Sequence, residues 1–136
     1  MAHEAALEFI QQNHRAVLAT YRRDGQVQLS PVLAAVDSES RVVISTRGGA
    51  MKTLNLRRNP RASLCVITER FWGAWHTVEG AVEIVELPEA MEPLVEYYRA
   101  TSGEHPDWND YREAMQREGR VLLRITVDRS GPTRQG

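Results

Sequence analysis

RVVISTRGGAMKTLNLRRNPRASLCVIT, residues 41–68, reads as strand, Gly-Gly turn, short helix and second strand. Val42, Ile44 and Thr46 alternate with Val43 and Ser45. Both faces are largely apolar, the pattern of a strand buried on two sides. Gly48-Gly49 breaks that strand, and Ala50 to Arg58 follows helical spacing, with Met51 and Leu54 about one turn apart. Asn59-Pro60 ends the helix, because proline disfavours the helical region for the residue before it. Ala62 to Ile67 is a second apolar, β-branched run.

Charge in this stretch has one sign. Arg41, Arg47, Lys52, Arg57, Arg58 and Arg61 are cationic, and no acid falls between Glu39 and Glu69. The whole chain carries 17 basic and 18 acidic residues, formal net charge -1, so the rest of the molecule is acidic. A helix N-terminus after a Gly-rich turn offers free N–H groups and the positive end of a dipole. Lys52 in its first turn adds a full charge. The pattern predicts an anion site sized for a phosphate; a solvated basic helix face is the alternative.

The 136 residues predict one domain, 1–136, with a core of its own. At 42% hydrophobic and 26% charged, the composition is that of an ordinary soluble protein. No apolar run approaches the ~20 residues that span a bilayer. The N-terminal MAHEAALEF lacks a basic region followed by an apolar core, so neither a signal peptide nor a membrane partner is expected. Cys65 is the only cysteine, which precludes an internal disulfide and suits a cytoplasmic protein. Near-neutral charge argues against general nucleic-acid binding.

Along the chain, residues 5–13 suit an amphipathic helix with Ala6, Phe9 and Ile10 on one face. Arg15 to Tyr21 and Val27 to Val36 read as a hairpin around Asp24-Gly25, a strong turn signal. Pro31 places a kink or a sheet edge in the returning strand. Ala74 to Val85 is a long strand in which Gly80 marks a bulge or a close backbone approach. Pro88 suits a helix start, with Met91, Leu94, Val95 and Tyr98 as the apolar face and Ser102-Gly103 as its end. A further helix is expected from Pro106 to Glu118, stopped by Gly119, then a strand from Arg120 to Val127 and a mobile tail over 129–136. About six strands in consecutive hairpins with short flanking helices predict a mainly β (α+β) fold, a small antiparallel barrel, rather than a doubly wound sheet.

The motif IST-x5-K-x2-NL-x2-NP-x-A, preceded by a strand carrying QLSPV, resembles the flavin- and deazaflavin-binding split-barrel proteins related to pyridoxamine phosphate oxidase. VEGAVEIVE (78–86) and EHPDWNDYREAMQREGRVLL (104–123) resemble most the actinobacterial branch that uses coenzyme F420. The resemblance covers roughly residues 5–127. It implies a homodimeric split β-barrel with cofactor sites at the interface, F420 as cofactor and FMN as the alternative, and hydride transfer to a small unsaturated or conjugated substrate. It implies cofactor contacts from Ser30, Pro31 and Val32 to the ring, from Lys52 to phosphate, and from Ser45, Thr46, Ala50 and Met51 beside it. Arg57 and Arg58 become candidates for the acidic tail of the deazaflavin. Trp72 and Trp75 are expected to approach the cofactor of the other subunit, with core or interface packing as the alternative. The resembled proteins commonly continue past the last strand with an aromatic tail, where this chain has SGPTRQG, and that leaves the substrate open.

Other chemistry finds little support. His3, His14, His76 and His105 do not pair with one another or with Cys65 at metal-ligand spacing. No Walker A or dinucleotide fingerprint is present. No residue stands out as a catalytic acid or base, so the second proton is assigned to water. The competing readings are an F420-dependent reductase, an FMN-dependent oxidase or reductase, a non-catalytic cofactor carrier, and a basic module for acidic partners.

Overall fold

The computed structural model describes residues 2–132. The elements are α1 (Glu4–Gln12), β1 (Arg15–Tyr21), β2 (Val27–Leu33), β3 (Ala35–Val36), β4 (Val42–Arg47), α2 (Met51–Arg58), β5 (Arg61–Ile67), β6 (Trp75–Val85), α3 (Met91–Ser102), α4 (Trp108–Glu118) and β7 (Arg120–Gly131). All strands pair antiparallel in one curled sheet of order β2-β1-β5-β6-β7-β4-β3. β2 approaches β4 although the two share no ladder, so the curl nearly closes and leaves a seam between them. This is the mainly β split barrel expected, with seven strands instead of about six.

The sheet has apolar side chains on both faces, and each face has its own core. Ile10, Leu18, Val42, Ile44, Leu64, Val78, Leu123 and Ile125 fill the inside, with α1 plugging one end. Ala35, Val43 and Leu122 point outward and are covered by α3 and α4 through Leu94, Val95, Tyr111 and Met115. β4 therefore is buried on two sides: Val42 and Ile44 are at 0% exposure and Val43 at 4%.

The β1–β2 turn forms at Asp24-Gly25, with Gly25 at φ 87° and the Arg22 N–H bonded to the Gln26 carbonyl at 2.7 Å. Pro31 lies on β2, an edge strand, where its missing N–H costs nothing. The register between β6 and β7 shifts at Glu79/Gly80, and a Cβ on Gly80 would stand 2.0 Å from the Thr126 carbonyl oxygen. Both readings of Gly80, bulge and close approach, hold.

Four local expectations are corrected. The run from Val27 to Val36 breaks at Ala34, whose N–H bonds the His14 carbonyl, giving β2 and β3. Pro88 does not open α3; residues 87–90 form a turn in which the Ala90 N–H bonds the Glu86 carbonyl, and the helix starts at Met91. Pro106 likewise precedes α4, whose N-cap is Asp107, accepting the Asp110 N–H. β7 continues past Val127 to Gly131, because Thr77 and Val78 supply ladder partners for Gly131 and Ser130. The expected mobile tail therefore contains strand at 129–131; its residues 133–136 lie outside the described region.

Candidate cofactor site at the barrel seam

β4 delivers the chain to the seam and α2 carries it away. The Gly48 N–H bonds the Gly119 carbonyl at 2.8 Å, docking the turn on the start of β7. The Thr53 hydroxyl donates to the Arg47 carbonyl at 2.7 Å. Ala50 is the N-cap of α2 and supplies no side-chain acceptor. The first-turn N–H groups thus keep the anion-binding capacity read from the sequence. Ser45 and Thr46 do not cap this helix, since both lie within β4.

Asn55 fixes α2 against the hairpin. It is fully buried, and its Nδ2 donates to Thr20 Oγ1 at 3.1 Å and to Gln28 Oε1 at 2.7 Å. Its Oδ1 accepts from Arg58 at 2.7 Å. The apolar stripe expected of α2 is not the buried one: Met51 and Leu54 are 55% and 40% exposed, whereas Thr53, Asn55 and Leu56 are buried. Polar anchoring to β4, β1 and β2 overrides the spacing of the two apolar residues.

Acids from elsewhere return to most of the basic segment. Arg41 pairs with Asp37 and Glu39, Arg47 with Glu118, Arg57 with Glu86 at 3.3 Å, and Arg61 with Asp128 through two bonds of 2.8 and 3.0 Å. Asp128 holds the Arg61 guanidinium above its ordinary pKa by a hydrogen bond and by charge. Among the described residues, Lys52 is the cation of this segment with neither a carboxylate within 4.0 Å nor a hydrogen bond. It stands in the first turn of α2, at the uncapped end.

The other side of the seam is β2. Its outer edge has no strand partner. Ser30 Oγ is buried there without a hydrogen-bond partner, while Pro31 is exposed and Val32 packs on the inner core. Tyr97 of α3 spans the seam. Its hydroxyl donates to the Leu33 carbonyl at 2.8 Å and also meets the Ser45 backbone. Burial pushes the Tyr97 pKa up, and the Ser45 bond and the Arg120 charge oppose the rise. The sequence reading missed Tyr97, because the helical period put Tyr98 on the apolar face and its neighbour off it.

Ser30, Pro31 and Val32 lie on β2 and Ser45 and Thr46 on β4, the two strands that flank the seam, while Ala50, Met51 and Lys52 form the start of α2 after the turn that leaves β4. Arg57 sits at the far end of α2 and is held by Glu86. Trp75 opens β6, which is three strands from β2 in the sheet, about 14 Å at the usual strand spacing. Trp72, 90% exposed on the β5–β6 loop, packs edge-on against Phe71. Cys65 lies half-buried on β5, with its thiol pushed up by burial. No helix among the described residues is long and apolar enough to cross a membrane.

The chain is thus an antiparallel split barrel with an open seam, an edge strand on one side and an uncapped, lysine-bearing helix start beside it. The sequence profile of the pyridoxamine 5'-phosphate oxidase family matches residues 2–133, and the chain belongs to that family, whose members bind flavins or deazaflavins. Among solved structures, it is similar to a conserved hypothetical protein of Mycobacterium tuberculosis at 28% identity, covering 96% of this chain and 82% of that one, with a TM-score of 0.76. It is similar to a protein described as an F420 reductase at 21% identity, covering 91% and 94%, TM-score 0.71. A NimC/NimA family protein of Clostridium acetobutylicum shares 20% identity over 90% of this chain and 78% of that one, TM-score 0.65.

Proposed function

We propose that the chain is an F420-dependent reductase that acts as a homodimer on a small unsaturated or conjugated substrate. The observation that carries the reading is Lys52, left without a partner among the described residues at the open N-terminus of α2, while Arg47, Arg57 and Arg61 hold acids and Arg58 is bound to Asn55. Together with the first-turn N–H groups, it suits a phosphate. The orphaned Ser30 hydroxyl and the free edge of β2 suit a polar planar ring laid along the seam. Ser45, Thr46, Ala50 and Met51 are assigned to the same cofactor by the family resemblance. When bound, the reduced deazaflavin supplies a hydride; the protein orients it and shields it from water.

The dimer draws support from the outer face of the β1–β2 hairpin. Val17, Val27, Leu29 and Leu33 are 37–65% exposed there, close to exposed Pro31. An exposed apolar face of this kind suits cover by a second copy. The second proton is assigned to water.

The FMN reading gains from one observation. Of the two candidates for an acidic cofactor tail, Arg57 already holds Glu86, nearby Arg61 holds Asp128, and Arg58 has no acid among the described residues. Purified protein is to be incubated with chemically reduced F420 and a panel of quinones, enones, tetrapyrroles and lactones. Reoxidation that depends on both enzyme and acceptor supports the reductase. Binding with no turnover on any acceptor supports a carrier, and turnover with FMN alone supports the flavin reading.

A further inference from the structure

A cavity of about 670 Å3 opens beneath α3, on the outward face of β3, β4 and β7, and of the residues placed at the seam Tyr97 alone lines it. Its size falls in the range of small-molecule sites, about 300–1,000 Å3. The floor is apolar: Ala35, Val43 and Leu122 are 0–4% exposed. Pro93, Tyr97 and Ala100 of α3 form the facing wall.

The charged rim is internally matched. Arg41 holds Asp37 and Glu39, Arg99 holds Glu96, and Glu92 is taken by Arg112 from α4. One donor is left over. Arg124 Nε is buried with no hydrogen-bond partner; Asp37 Oδ2 stands 3.9 Å away, and the Nη1 group goes to Glu83 at 3.3 Å. A buried N–H of a charged group without an acceptor is costly, and structures rarely leave one unexplained. An acceptor atom brought in by a ligand would satisfy it. An anionic ligand would meet Asp37, Glu39, Glu92 and Glu96 at the same rim.

We infer that this cavity is a binding site for a neutral, mainly apolar molecule with one carbonyl-type acceptor, received by Arg124 Nε. The inference stands apart from the cofactor reading, since apart from Tyr97, which borders both, it uses other residues and the opposite side of β4 from the inner core. Coumarin serves as the neutral probe and coumarin-3-carboxylate as its anionic counterpart, each titrated into the full chain and followed by 15N NMR. Coumarin is expected to shift the amides of Ala35, Val43 and Ala100 and the side-chain Nε–H of Arg124, and to bind tighter than the acid. Ala100→Trp, at an exposed helix position, plugs the cavity and should abolish these shifts. Arg124→Met should weaken coumarin by about tenfold or more, the weight of a hydrogen bond to a charged group. If Arg124→Met does not fold, Ala100→Trp decides alone. The inference is overturned by no shifts up to the solubility limit of coumarin, by shifts confined to β2 and α2, by unchanged binding in Ala100→Trp, or by the acid binding as tightly as coumarin.

Discussion

Lys52 and Asn55 lie one helical turn apart in the same motif and do different work. Lys52 has no partner among the described residues, so Lys52→Ala should leave the unfolding midpoint unchanged. A lost charge-assisted contact of roughly 1.5–3 kcal/mol should weaken cofactor binding by about 10- to 100-fold, measured by titration. Unchanged affinity would leave the lysine as a solvated cation. Asn55→Ala should do the reverse. It strands Gln28 Oε1 and removes the bond to Thr20, so chemical denaturation should show a loss of about 1–3 kcal/mol. The Lys-x2-Asn-Leu spacing was legible in the sequence, and the role expected of its lysine rested on charge and on the family resemblance. The clamp made by Asn55 was not legible, because its partners lie 35 and 27 residues away. Tyr97 escaped for the same reason: its acceptor, Leu33, is 64 residues distant.

At the scale of elements, local signals were read well where the backbone itself imposed them. The Asp-Gly turn, the helix-ending Gly103 and Gly119 at positive φ, and the close approach at Gly80 needed no knowledge of distant partners. Gly80→Ala tests the last. Its Cβ would collide with the Thr126 backbone, so β6 and β7 must part, and the loss should be about 3 kcal/mol or more by urea titration, or the protein should fail to fold. Element limits set by pairing were less legible: β7 is extended by Thr77 and Val78, and α2 buries polar residues because three strands anchor it. The cavity beneath α3 was invisible, since it gathers residues from 35–43, 92–100 and 122–124. α4 offers a pH test. Tyr111 is buried against α3, donates to the Leu94 carbonyl at 2.8 Å, and burial pushes its pKa up to about 12 from an ordinary 10.0. The unfolded chain therefore releases this proton first. The stabilisation is full below pH 10 and fades as pH rises from about 10 to about 12. Thermal unfolding across that window should show a smaller decline in Tyr111→Phe than in the wild type.

At the scale of the whole molecule, the account joins a seam to an exposed apolar face. The exposed β1–β2 surface predicts a mass of about twice 15.4 kDa by light scattering at micromolar concentration. Leu29→Lys, at the most exposed apolar residue of that face, should shift the mass toward the monomer, and a monomer that still binds cofactor fully would contradict a shared site. The class of fold was legible from strand spacing and hairpin signals, whereas the distribution of charge was not: a basic segment in sequence becomes, once folded, a set of ion pairs, with Arg58 held by Asn55 and Lys52 left over among the described residues. The central claim is that this leftover charge and the seam beside it serve a deazaflavin. The most direct measurement is equilibrium titration of the purified chain with F420 and, separately, with FMN, at low and high salt. The account predicts saturable F420 binding at one molecule per chain, tighter than FMN, and weaker as salt rises. FMN binding as tightly as F420, or no saturable binding of F420, would contradict it.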